Sequence, residues 1–172
     1  MRCLLPTLAA VLLASCSMQP VNQPQNREEF TAALAKGARF MKVETYAANR
    51  PFDEAIKLVR AKTGDCLNYR LTETTRNVAT GLPTSASAND YRASFRTVGK
   101  TRAELTMQHH PLGPRIGPEM PTGGFYMMAV DFDRASANTT KLTFYGPSMG
   151  WESTYDAIKK WSEGTAVGCP KR

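Results

Sequence analysis

The chain predicts an α+β domain in which an antiparallel β-sheet curls against a C-terminal helix, in the order β-α-β-β-β-β-β-α. Three stretches carry this. Tyr91, Ala93, Phe95 and Thr97, then Ala103, Leu105, Met107 and His109, alternate with polar residues on either side of Gly99-Lys100, the pattern of a β-hairpin. Between Pro51 and Gly64 every helix start and stop signal agrees. Near the end, Trp151, Thr154, Tyr155, Ile158 and Trp161 recur at helical spacing and form one large aromatic face that must be buried.

The N-terminus divides before the domain begins. Arg2 gives a positive start and Leu4 to Leu13 an apolar run of about ten residues, half of what a bilayer-spanning helix needs. Ala14-Ser15 supplies a small-residue cleavage site, so residues 1–15 read as an export signal. Residues 16–37 follow as a tether and a short helix, and 38–172 as a single domain. Ser17 to Gln25 is Gln, Asn, Pro and Ser with almost nothing to bury, and fully extended it reaches about 30 Å. Asn26 with Glu29 makes a capping box, after which Phe30, Ala33 and Leu34 share a face until Gly37.

Phe40 to Tyr46, rich in β-formers, predicts the first strand. Pro51, Asp53 and Glu54 open the next helix, Phe52, Ala55, Ile56 and Val59 form its buried face, and Gly64 closes it. Cys66 then sits where the helix hands over to a strand in which Leu67, Tyr69 and Leu71 alternate. Residues 77–89 show neither period and read as a loop, and the hairpin follows. A Pro/Gly-rich loop from Pro111 to Gly124 precedes strands over Phe125 to Phe132 and Lys141 to Tyr145, separated by a turn at Arg134 to Asn138. Gly164 ends the last helix.

Of the four cysteines, Cys3 falls in the signal. Leu13-Ala14-Ser15-Cys16 resembles the lipobox of bacterial prolipoproteins. The resemblance covers the first sixteen residues and implies a diacylglyceryl thioether on Cys16, cleavage before it, and acylation of the freed amine. One acyl chain holds a protein marginally and two or more hold it stably, so the lipid-bearing Cys16 is the expected membrane anchor. Ser17 is not acidic, which in similar Gram-negative lipoproteins goes with transfer to the outer membrane. The alternative is a plain secreted protein. Cys66 and Cys169 remain, and in an oxidising compartment they are expected to pair, closing a loop of about 100 residues worth up to about 4.7 kcal/mol by loop entropy. Two separate buried thiols are the alternative.

The element order over residues 38–169 resembles the helix-grip arrangement. In proteins of that architecture the gap between sheet and helix often holds a hydrophobic ligand, which would face Trp151, Tyr155, Ile158 and Trp161. Some lipoproteins of outer-membrane assembly machinery use the fold for protein contacts.

The chain carries 22 Lys+Arg against 15 Asp+Glu, a net charge of +7 that falls to +6 when Arg2 leaves with the signal. The basic residues are scattered, with no run longer than Lys159-Lys160 or Lys171-Arg172, and an exported chain meets little nucleic acid, so none is expected as a partner. Attraction to anionic lipid or cell-wall polymer fits better, as does another envelope protein.

Gly146-Pro147-Ser148-Met149-Gly150 matches the G-x-S-x-G of a nucleophile elbow between a strand and a helix. No histidine follows Ser148, so the serine lacks a base in the elbow's order, and a turn with a helix cap accounts for the same residues. Met107, His109, His110, Met120, Met127 and Met128 suggest a soft-metal site, but His109 and His110 point to opposite faces of a strand and methionine is ordinary core filler. Asp131 and Asp133 share a strand face and read either as paired carboxylates or as solvated or ion-paired acids beside a turn. No phosphate-cradling loop or zinc spacing is present.

The sequence therefore predicts an outer-membrane lipoprotein whose domain faces the periplasm and acts as an accessory or binding module, without enzymatic activity, cofactor or metal. The alternatives are a carrier of a lipid or other apolar ligand between sheet and helix, and a serine hydrolase using Ser148.

Overall fold

The computed structural model describes residues 23–114 and 117–171. The signal, Cys16 and most of the tether lie outside the described residues. Helix α1 (Arg27–Ala35) precedes strand β1 (Met41–Ala48), helix α2 (Phe52–Leu67) and strands β2 (Tyr69–Arg76), β3 (Pro83–Val98), β4 (Arg102–Pro111), β5 (Phe125–Arg134) and β6 (Thr140–Pro147), and helix α3 (Glu152–Ser162) closes the order. Among the described residues the strands form one antiparallel sheet ordered β1-β6-β5-β4-β3-β2. The fold is thus α+β, with a meander from β2 to β6 and β1 returning beside β6.

Alternation decides what each face of the sheet holds. Leu105, Met107, Met128, Val130, Phe132, Leu142 and Phe144 point to one side and are fully buried beneath α2 and α3. From α2 come Phe52, Ile56, Val59 and Leu67, and from α3 Tyr155, Ile158 and Trp161. The helix α3 is also tied to β1 by polar contacts, Lys159 Nζ donating to Glu44 and the Tyr46 hydroxyl donating to Glu163. It ends in a Schellman motif, Gly164 N–H to Trp161 O and Thr165 N–H to Lys160 O, with Gly164 at φ +78°.

The other face carries α1. Phe30 and Leu34 pack there on Ala129, Met41, Tyr126 and Tyr145. Asn26 caps the helix, with Glu29 N–H donating to Asn26 Oδ1 at 2.8 Å, and the Glu29 carboxylate accepts in return from the Asn26 side-chain amide and from Gln25 N–H, one residue earlier than in the expected capping box. Arg27, in the first turn, is buried: its Nη2 lies 2.5 Å from Asp131 Oδ1, its Nε donates to Thr106 Oγ1 at 3.1 Å, and Glu104 is 3.7 Å away. Arg102 bridges Glu104 and Asp131 at 3.2 Å each, and Arg96 holds Glu104 at 2.7 Å. Burying a single charge here would be prohibitive, and the alternating signs make the cluster tolerable.

Two local expectations are corrected. The helix α2 runs through Gly64 to Leu67, so Cys66 lies inside its last turn. The Thr63 hydroxyl donates to Val59 O, and Cys66 and Leu67 are drawn into the core, so burial of that turn outweighs the glycine's cost. Residues 83–89, read as loop, are the first half of β3 and pair with β2. Residues 83–87 of it are exposed on both faces, so their Ser, Thr and Ala show no alternation.

Candidate binding surface

Every residue from Thr72 to Ser87 is exposed. The segment is a two-stranded ribbon continuing β2 and β3 beyond the sheet, paired from Thr72 opposite Ala88 to Thr74 opposite Ala86, with a bulge at Thr75/Arg76. The pairing of β3 with β4 begins only at Asn89, so this arm has no strand on its other side among the described residues. Its tip is well formed nonetheless. Asn77 N–H donates to Leu82 O and Gly81 N–H to Asn77 O, both at 2.8 Å, and the Asn77 side chain accepts from Ala79 and Thr80. Val78 and Leu82 are exposed beside that turn.

At the root of the arm, on the face shared with α3, lies a notch of about 180 Å³ lined by Leu67, Tyr69, Leu71, Tyr91, Trp151 and Thr154, with Lys171 at its edge. Tyr69 and Tyr91 stack with centroids 4.7 Å apart, and Trp151 tilts against Tyr91 at 6.3 Å. On the opposite face, Asp90 is bonded to Arg70 at 2.7 Å and lies 3.2 Å from Arg92, which keeps its carboxyl below the usual carboxylate range.

The four residues of the last helix's aromatic face are split. Tyr155, Ile158 and Trp161 are buried and fill the space between sheet and helix. Trp151, half-buried, lines the notch instead. An edge of Trp161 reaches a second hollow of about 460 Å³ between α2 and the C-terminal segment, lined also by Leu58, Ala61, Lys62, Thr165 and Val167.

Cys66 and Cys169 are joined, with Cα atoms 5.0 Å apart, which pins the C-terminal segment to the end of α2. Ser148 sits between β6 and α3, but in an antiparallel sheet, and both its N–H and hydroxyl donate to Phe40 O, at 3.0 and 3.1 Å. Phe40 holds a left-handed φ of 62°, so Ser148 secures the strained entry to β1. His109 lies against Tyr91 and Phe125 with Nε2 2.8 Å from Asn89 Oδ1, and burial followed by the nearby His110 lowers its pKa from 6.5. Met107 and Met128 are core residues, and among the described residues no three His, Cys, Asp or Glu side chains converge as metal ligands. Asp131 is spent on Arg27 and Arg102, while Asp133 stands opposite Lys141 at the strand end.

Sequence reasoning did not find the arm or the notch. The bounding signals, Asn77, Gly81 and Pro83, mark a turn, but nothing in the flanking small residues announces two strands. No protein-family model matches the chain, and no curated protein matches it. A solved structure it is similar to is the crystal structure of DynU16, a protein of the dynemicin biosynthetic locus, at 14% identity and a TM-score of 0.30, over 73% of this chain and 44% of that one. The chain thus spans less than half the length of that protein, and a likeness this slight carries nothing about function.

Proposed function

We propose that this protein is held at the outer membrane by an acylated Cys16, faces the periplasm, and acts as a non-enzymatic binding module that meets its partner with the β2–β3 arm. The location rests on Leu13-Ala14-Ser15-Cys16 and the apolar run before it. The contact element rests on the unbroken exposure of Thr72 to Ser87 in a regular ribbon. A two-stranded ribbon with no packed face is at best marginal in water. This one is carried by the sheet and contributes nothing to the core, and projecting segments on a rigid scaffold are where binding residues concentrate.

Two measurements test the proposal. Radiolabelled palmitate should be incorporated into the chain and lost in Cys16→Ser, which should then wash from membranes; an unlabelled, freely soluble parent chain would refute the location. A photo-crosslinking amino acid at Val78 of the lipidated protein in cells should yield discrete adducts that the same probe at Lys57, on α2, does not. Identical adducts from both positions, or none from Val78, would refute the arm as contact element.

A second reading, carriage of an apolar molecule, is favoured by the hollow of about 460 Å³ between α2 and the C-terminal segment. It predicts that a fluorescent fatty acid binds the purified domain and that Leu58→Asp abolishes its binding. No binding would remove this reading.

A further inference from the structure

Which backbone groups of the arm stand free follows from two hydrogen bonds. Leu112 N–H donates to Ala88 O at 2.9 Å, so Ala88 directs its backbone polar groups toward the β4 side. Ala93 N–H donates to the Asn68 side chain at 2.7 Å, so Ala93, of opposite parity, directs its own toward β2. In an antiparallel ladder the direction alternates residue by residue, and directly opposed residues either both face each other or both face away. Asn89 and Ser87 therefore face their partners Leu71 and Glu73, and the residues between on β2, namely Arg70, Thr72 and Thr74, aim N–H and C=O groups out of the sheet.

This is one edge of the sheet, guarded against pairing by charge at Arg70, Glu73 and Arg76 but by little else. No lysine or proline lies between Tyr69 and Arg76, the strand is a full eight residues, and its one bulge comes at the far end. The same stretch borders the aromatic notch, because Tyr69 and Leu71 line it from the strand itself. An added strand would set alternate side chains across from Tyr69 and Leu71, within about 5.5 Å between Cβ atoms, and so at the notch. Backbone pairing for affinity beside a pocket for alternate side chains is the arrangement used in recognition by strand addition.

Charge selects among extended segments. Arg70 and Arg92 lie on the face opposite the notch, where they share the single carboxylate of Asp90 and leave a net positive charge; the notch face carries Lys171 and Glu73. An added strand therefore meets the arginines with its acidic side chains and the notch with the alternate, apolar ones. A second copy is a poor occupant in either of its longest two-fold registers: pairing centred on Glu73 would oppose Glu73 to Glu73 and Arg70 to Arg76, and pairing centred on Thr72 would set Thr75 and Glu73, with no apolar side chain, opposite Tyr69 and Leu71.

Resting on the reading of the arm as contact element, we infer that the β2 edge receives an extended, acidic segment of another polypeptide as an added strand, with one bulky apolar side chain of that segment seated in the Tyr69/Leu71/Tyr91/Trp151 notch. The test starts from a phage-displayed library of random dodecapeptides selected against the disulfide-closed mature chain. Enriched peptides should combine acidic residues with an aromatic or large aliphatic residue, and as synthetic peptides should shift the amide resonances of Tyr69–Arg76 and the indole signal of Trp151. Thr74→Pro removes an outward N–H and should weaken binding about tenfold, while Thr74→Ala should leave it unchanged. Trp151→Ala should weaken binding without altering the β2 pairing to β3.

No enriched sequence, resonance shifts confined to other elements, or equal binding by Thr74→Pro and wild type would overturn strand addition. A concentration-dependent dimer with the same β2 shifts and no peptide binding would overturn the acidic segment in favour of a second copy. If Val78 crosslinks to a specific envelope protein while Thr74→Pro binds it normally, strand addition fails and the arm reading stands. If Val78 yields no adduct and the peptides still shift β2, the arm reading fails separately.

Discussion

The hydroxyl of Tyr155 occupies the space that a Cβ on Gly146 would need, and from there donates a hydrogen bond to Pro147 O at 2.9 Å. Tyr155 comes from α3 and Gly146 from β6, so this one close approach fixes how near the helix lies to the sheet. Gly146→Ala should destabilise by about 1–3 kcal/mol, because the methyl must displace a buried ring rather than a flexible side-chain end. Tyr155→Phe should cost about 1 kcal/mol, the hydrogen bond alone. Urea unfolding of both variants and of the double mutant checks the relationship: in the double mutant the clash is relieved and the costs should be less than additive.

The Arg27 cluster is expected to behave as a lock on α1. Arg27→Met leaves Asp131 and Glu104 buried with only Arg102 and Arg96 for company, and removal of one partner from a buried ion pair costs about 3–5 kcal/mol. Hydrogen exchange should separate this from general loosening. Amides of α1 should exchange far faster in the variant, while those of β4 and β5 facing α2 stay protected.

Reduction of the Cys66–Cys169 bond should lower stability by about 2–4 kcal/mol, below the loop-entropy limit of about 4.7 kcal/mol for so long a loop. Denaturant midpoints with and without reductant measure it. An unchanged midpoint, or two free thiols titrating in unreduced, unfolded protein, would contradict the pairing.

The pKa of His109 is lowered by burial against Tyr91 and Phe125 and by His110, so the sign of its pH effect is fixed. Above 6.5 the ring is neutral in folded and unfolded chains, and its contribution to stability is complete. As pH falls below that value the unfolded chain takes the proton first, and stability declines until the pH passes the lower folded value. Urea midpoints between pH 7.5 and pH 5 should fall in the wild type and fall less in His109→Gln. Ring-proton NMR should show His109 titrating below 6.5.

Replacing residues 74–86 by Asn-Gly between Glu73 and Ser87 should leave the melting temperature nearly unchanged, since every residue removed is exposed and the new turn suits a two-residue hairpin. Calorimetry of the shortened chain checks that the arm is dispensable to folding.

What the sequence disclosed follows from what is half-buried. Strands with one wet face, such as the inner half of β3 from Tyr91 to Arg96, print their alternation in the residues, and α2 and α3 print theirs at helical spacing. The outer half of β3 has two wet faces and so no period, and only its pairing with β2 makes it a strand. The cluster around Arg27 was hidden for another reason: Arg27, Glu104 and Asp131 come from three elements, and a carboxylate two residues from Asp133 reads as a turn acid until α1 is laid over it. The split of the last helix's aromatic face, three residues inward and Trp151 toward the notch, depends on where that helix begins, which periodicity alone does not set.

The covalent link between Cys66 and Cys169 encloses the whole of β2 to α3, including the projecting ribbon. A protease that nicks the chain after Arg76 would therefore release nothing. The severed pieces would travel as a single species until a thiol reagent parted them, so damage to the arm would pass unseen on any gel run without one.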